Sequence, residues 1–284
     1  MGDGSTMTLR RKISSRLFGE ARWIKRHGDF RTRERYGLIA RPAYLYGMLR
    51  AADLAKYFGH KCVTVVEYGV ASGAGLLNMV NLAPQISEAT GIDIRIIGFD
   101  TGKGLPPVQG YKDHPELWNP GDFAMEDREV LLRKLGNRAT IIWGDISDTV
   151  DPFTESLNAT APLGFVSIDV DIYSGAKSAL RSLTGAPEKY VPGVSMYFDD
   201  VTFYFANEWA GELAAINEFN AEHELRKIGR DRSLPGNRPL KAESWYASMY
   251  VAHILDHDAR QKPRERSELT IGAHLDFMLS RHLF

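Results

Sequence analysis

Val63-Thr-Val-Val-Glu-Tyr-Gly-Val-Ala-Ser-Gly-Ala-Gly75 passes from β-branched residues straight into glycines. Val63 to Val66 reads as a buried parallel strand, since β-branched side chains suit a pleated surface covered on both faces. Glu67, Gly69, Gly73 and Gly75 follow, and Leu76-Leu-Asn-Met-Val80 begins a helical repeat. Strand, glycine turn and helix together bring backbone N–H groups and a helix N-terminus to an anionic or polar ligand. The same pattern also serves as a turn without a ligand. The spacing E-x-G-x-x-x-G is not the dinucleotide fingerprint G-x-G-x-x-G, which weakens a nicotinamide-dependent dehydrogenase reading.

Upstream, Ala43 to Phe58 sets Tyr44, Leu49, Ala52, Leu54 and Tyr57 on a helical repeat, with Gly59 as its stop. Leu9 to Arg35 is basic, with Arg10, Arg16, Lys25 and Arg33 among its cations. Such a run is commonly a solvated helix face; the sharper reading is a surface for an acidic substrate or partner. Downstream, Ile92 to Phe99 is a second strand with Asp100 at its tip. A carboxylate there can accept from a ribose diol, or it can cap the following turn. Gly104 to Glu129 lacks periodicity and is rich in proline, glycine and aromatics, which reads as a loop covering a ligand crevice.

The rest of the chain alternates. Strands are expected at Ala139–Trp143, Leu163–Ile168 and Gly193–Phe198, with later ones at Leu225–Ile228 and Trp245–Ile254. Helices are expected at Asp127–Leu135, Gly175–Leu183, Glu208–His223 and Glu268–Leu283. This order implies an α/β fold, with a mainly parallel sheet and helices on both faces. The expected organisation is a helical extension over 1–59, a core over 60–258 and a helical tail over 259–284.

Composition narrows the function classes. The chain has 284 residues, with 35 Lys and Arg against 36 Asp and Glu, so no global field argues for nucleic acid or membrane binding. A small-molecule partner is expected, and a homo-oligomer is allowed. Cys62 is the single cysteine, which leaves no internal disulfide or Cys cluster and fits a reducing, cytoplasmic setting. No apolar run approaches a membrane span, and no signal-peptide core is visible.

Acids recur where strands end: Asp100, Asp145, Asp169 with Asp171, and Asp199 with Asp200. In an open α/β sheet those ends line the ligand crevice. Carboxylates brought together repel unless a cation or protons compensate. A hard divalent cation, Mg²⁺ first, is the expected compensator at Asp169, Asp199 and Asp200; helix N-capping is the other reading.

Four ordered motifs carry a family resemblance. Glu67 to Gly75 is similar to the first motif of class I S-adenosylmethionine (SAM) dependent methyltransferases. Phe99-Asp-Thr-Gly-Lys-Gly-Leu-Pro-Pro107 resembles the FDTFEGLPP signature of macrocin O-methyltransferase-like enzymes. Asp169-Val-Asp-Ile-Tyr173 with Ala179-Leu180 resembles their DxDxYxxxxxAL stretch, and Tyr190 to Asp200 their PGG-to-DD ending. The likeness spans about residues 60–205 of the sequence.

The resemblance implies a Rossmann-like, seven-stranded sheet whose last strand is antiparallel, and SAM as cofactor. Glu67, Gly69, Ala71, Gly73 and Gly75 would hold its methionine end, Asp100 its ribose, and Asp145 and Ile146 its adenine, with Asp169 beside it. Asp169, Asp199 and Asp200 match metal positions of members that use Mg²⁺. Two departures are present: Val194 replaces the second glycine of Pro-Gly-Gly, and Ile172 stands where catechol-type enzymes place a lysine. The implied activity is O-methyl transfer to a hydroxylated small molecule, with Asp169, His114 or His253 as catalytic candidates and His257 as a further one. A cephalosporin-hydroxylase-like enzyme and a non-catalytic SAM-binding module are the alternatives.

Overall fold

In the computed structural model, which describes residues 19–236 and 238–261, the β-branched run of Val63 to Val66 lies inside an interior strand of a seven-stranded sheet. The strands are β1 (Cys62–Tyr68), β2 (Asp93–Asp100), β3 (Thr140–Trp143), β4 (Leu163–Ile168), β5 (Tyr190–Phe198), β6 (Arg226–Arg230) and β7 (Met249–Ile254). They hydrogen-bond in the order β3-β2-β1-β4-β5-β7-β6. β1 to β5 run parallel, while β7 is antiparallel to both β5 and β6. This is the Rossmann-like, mostly parallel architecture expected. Strand order reverses between β1 and β4, so a crevice opens beyond their C-terminal ends.

Eight helices flank the sheet among the described residues: α1 (residues 19–27), α2 (Phe30–Arg35), α3 (Pro42–Tyr57), α4 (Ala74–Thr90), α5 (Arg128–Leu135), α6 (Ile146–Ser156), α7 (Tyr173–Leu180) and α8 (Gly211–Glu222). α3 packs against β1, β4 and β5, and its Tyr44, Leu45 and Met48 are buried. A Cβ on Gly47 would sit 2.2 Å from the Phe165 ring, so glycine lets this helix approach the sheet closely. α3, which precedes residue 59, thus packs as part of the core.

Other differences have local causes. α6 was not anticipated; Asp145 caps it by accepting from the Ser147 N–H at 2.8 Å, and Pro152 lies inside it. α8 starts at Gly211 rather than Glu208, since Asn207 folds its side chain back onto the Trp209 N–H at 3.0 Å and keeps that stretch in a turn. Part of the basic N-terminal run is structural rather than solvated. Arg31 pairs with both oxygens of Asp53, and Glu34 pairs with Arg238 where both side chains are buried. The helix expected at 268–283 lies outside the described residues.

Candidate active site

The crevice is a cavity of about 460 Å³ at the C-terminal ends of β1, β2, β4 and β5. Its first wall is the turn between β1 and α4, where Gly69 (φ 86°), Ala71 (φ 44°) and Gly73 (φ 84°) all take left-handed backbone. Gly69 is obligatory for a second reason: a Cβ there would lie 1.7 Å from the Asp169 carbonyl oxygen. That contact brings the β1 turn flush against the end of β4. Asp100 fastens the same turn from β2. Its Oδ2 accepts from the N–H groups of Val70 (3.0 Å) and Ala71 (2.7 Å), and its Oδ1 accepts from Gly102. The turn-capping role considered for Asp100 is thus realised, and its carboxylate still forms part of the wall.

Glu67, at the end of β1, is a buried acid at 1% exposure. Tyr44 of α3 donates to its Oε1 at 2.8 Å, and Ser167 of β4 donates to the Tyr44 oxygen at 2.9 Å. Oε2 is buried with no partner. Burial pushes the Glu67 carboxyl up to about 8 against the pull of the Tyr44 hydrogen bond. An unsatisfied carboxylate oxygen in a cavity wall fits a cationic donor such as an ammonium group.

Opposite lies a cluster of acids. Burial, then Asp199 and Asp200, lifts Asp169 to about 7. Burial and the same neighbours lift Asp171 to about 8, and burial with Asp199 lifts Asp200 to about 6. Behind them Glu212, fully buried at the start of α8, accepts from the Asp200 N–H at 3.0 Å, and burial raises its carboxyl well above the usual range. The expected metal ligands are present, but their arrangement does not fit a formed metal site. Among the described residues no three His, Cys, Asp or Glu side chains are grouped so that they could hold a metal ion. Asp199 accepts a hydrogen bond from the Tyr197 hydroxyl, and Asp200 keeps a buried, unpartnered Oδ2.

Most residues expected at the site do meet there. Glu67, Gly69, Ala71 and Gly75 form one wall, Asp100, Asp145 and Ile146 the next, and Asp169, Asp199 and Asp200 the third. Gly73 stands behind the turn, where a Cβ would strike Leu131. His114 is outside the wall: it is buried, its Nδ1 faces Glu116 at 2.9 Å and its ring packs edge-on to Phe203. His253 requires a correction. It pairs with Gly193 of β5, six residues before Asp199, which places it roughly 20 Å along the strand from the acids. Because β7 is antiparallel, its C-terminal end points away from the crevice. His257 lies at that far end as well, beside the Tyr190 carbonyl.

The stretch after β2 is the cover expected. Leu105, Trp118 and Phe123 face the cavity, while a short 3₁₀ turn (Tyr111–Asp113) pins the segment. Buried Asp113 accepts from the Gln109 N–H, the Ser174 N–H and the Ser174 hydroxyl. Sequence reading missed Tyr44, Arg41, Tyr197 and Glu212. Tyr44 looked like one more apolar position of a helical stripe, and Arg41 one more cation near a basic run. Tyr197 lies inside the Tyr190 to Asp200 motif without a role of its own, and Glu212 carries no local signal.

Sheet order, glycine turn and acidic strand ends together define a Rossmann-like fold with a ligand crevice at its topological switch point. No family model and no curated protein matches the chain. Among solved structures it is similar to the calicheamicin methyltransferase CalS11, at 21% identity and TM-score 0.48, covering 74% of this chain and 79% of that one. It is also similar to the O-methyltransferase NovP, at 18% identity and TM-score 0.47, covering 64% and 72%. A third is the O-methyltransferase from Bacillus cereus in complex with SAH, at 9% identity and TM-score 0.40, covering 74% and 80%.

Proposed function

We propose that the chain is a SAM-dependent methyltransferase acting on a hydroxyl oxygen of a small molecule. The charge of the crevice carries this reading: among the described residues one Glu and seven Asp stand in its wall against a single cation, Arg41. So acidic a wall repels the diphosphate that a dinucleotide would set against the glycine turn. It suits a ligand bearing a sulfonium and an ammonium. Glu67 Oε2 would take the ammonium, the 69–72 turn the methionine end, Asp100 the ribose, and Asp145 with Ile146 the adenine.

SAM, when bound, supplies an electrophilic methyl group. The chain's own part is to align an acceptor hydroxyl behind that methyl and remove its proton. Asp169 sits between the glycine turn and the acids of β5, and burial beside Asp199 and Asp200 raises it to about 7. A carboxylate near neutrality is matched to taking a hydroxyl proton at physiological pH. A divalent cation held by Asp169, Asp199 and Asp200 is the second reading, favoured by the mutual repulsion of those acids. It requires the side chains to turn toward a common point.

Calorimetric titration with SAM and with NAD separates the cofactor classes; NAD binding without SAM binding would overturn the proposal. Mass spectrometry with labelled SAM against hydroxylated metabolites, with and without EDTA, then tests the reaction. Undiminished oxygen methylation in EDTA removes the metal reading. Tight SAM binding with no turnover across a broad panel favours a non-catalytic module.

A further inference from the structure

The turn between α2 and α3 ends at Arg41, whose backbone lies at φ 48°, ψ 65°. Left-handed backbone is uncommon for a side chain with a Cβ. Pro42 follows as the first helical residue and bars Arg41 from the right-handed helical region. The turn therefore aims a long cationic side chain at the crevice from outside the sheet.

Three observations converge on that side chain. Among the described residues Arg41 is the single cation in a wall otherwise rich in carboxylates. Its guanidinium lies 5.3 Å over the Tyr44 ring and makes no hydrogen bond or ion pair with another described residue. The hydroxyl of the same Tyr44 holds Glu67 at 2.8 Å, and Glu67, at 1% exposure, keeps Oε2 without a partner. One tyrosine thus carries a cation on its ring face and, at its hydroxyl tip, a buried carboxyl group with an unpartnered oxygen. The charge of Arg41 is felt at the Glu67 and Asp169 carboxyls, in line with this closeness.

A guanidinium and a carboxylate oxygen presented side by side are complementary to an α-amino acid, whose carboxylate and ammonium hang on one carbon. We propose that Arg41 and Glu67 form a zwitterion clamp for the amino-acid end of the cofactor. Glu67 takes the ammonium, and Arg41 takes the carboxylate through its planar fork. The inference rests on the SAM reading above and adds to it a binding residue contributed from outside the motif-bearing core.

The test compares SAM with decarboxylated SAM, which keeps the sulfonium and the amine but lacks the carboxylate. Both are titrated calorimetrically into the full chain and into Arg41→Gly and Arg41→Lys. Glycine accepts left-handed backbone freely, so Arg41→Gly is expected to keep or raise the thermal midpoint. The original chain should prefer SAM over its decarboxylated form by about 10- to 100-fold. Arg41→Gly should abolish that preference by weakening SAM alone, and Arg41→Lys should retain part of it. A preference that survives in Arg41→Gly, or equal weakening of both ligands, overturns the clamp. Equal affinity of the original chain for the two ligands also overturns the clamp while leaving the SAM reading in place. Binding of neither ligand overturns both.

Discussion

Tyr44 donates its phenolic hydrogen to Oε1 of Glu67 at 2.8 Å, joining α3 to the end of β1. The bond orients a buried carboxyl group at the start of the glycine turn, and it leaves Oε2 of that group open. Ser167 completes the chain of donors from β4.

Tyr44→Phe strands both the Glu67 oxygen and the Ser167 hydroxyl without changing ring volume. It is expected to cost about 1–3 kcal/mol, the penalty of unpaired buried polar groups. Urea denaturation checks the stability, and calorimetry should show weaker SAM binding, since nothing then orients Glu67. Unchanged affinity would remove Tyr44 from the site.

Gly69→Ala and Gly75→Ala should fail differently. At Gly69 a Cβ meets backbone at 1.7 Å and the residue has φ 86°, so a loss of about 3 kcal/mol or more is expected. At Gly75 a Cβ meets the Glu67 side chain at 1.7 Å, and the carboxylate can swing aside. Stability should fall by only about 1 kcal/mol, while SAM affinity drops about tenfold or more. Thermal melts paired with titration separate the two outcomes.

Asp113→Ala removes two hydrogen bonds that pin the cover to Ser174 of α7 and one, from Gln109, within the cover itself. A loss of about 2–4 kcal/mol is expected if the segment stays packed, and less if it simply detaches. Limited proteolysis should then cut faster between Gly104 and Asp127. Cutting at the original rate would show that the pin is redundant.

Stability of the ligand-free chain should fall as pH rises. Burial lifts Glu67 from 4.5 to about 8, and burial with neighbouring acids lifts Asp169 from 3.8 to about 7 and Asp171 from 3.8 to about 8. Between the ordinary and raised values the folded chain binds more protons than the unfolded chain. The stabilisation is fully present below the ordinary carboxylate range and is lost as pH climbs through the raised values. Urea midpoints should therefore decline from about pH 5 to about pH 8 and level off above. Saturating SAM should flatten the decline, because an ammonium beside Glu67 favours its ionised form. A rising or flat profile without ligand would contradict the buried-acid picture.

The sequence by itself determined the strands, the glycine turn and the acids at the strand ends. Those signals are short-range: β-branched residues favour a covered sheet, and Gly69 and Gly73 supply backbone that other residues take only under strain. The tertiary structure alone decided which side chains serve the crevice. Tyr44 reaches Glu67 across 23 residues, and Glu212 reaches Asp200 from another helix. His253, near in the sequence to the last strand's end, was carried to the opposite edge by the antiparallel pairing of β7. The three acids at Asp169, Asp199 and Asp200 were legible as neighbours, yet the lack of a three-ligand group among the described residues was not. Periodicity fixes which face of an element is buried. Strand register and helix packing, which depend on contacts between distant segments, fix what that face meets.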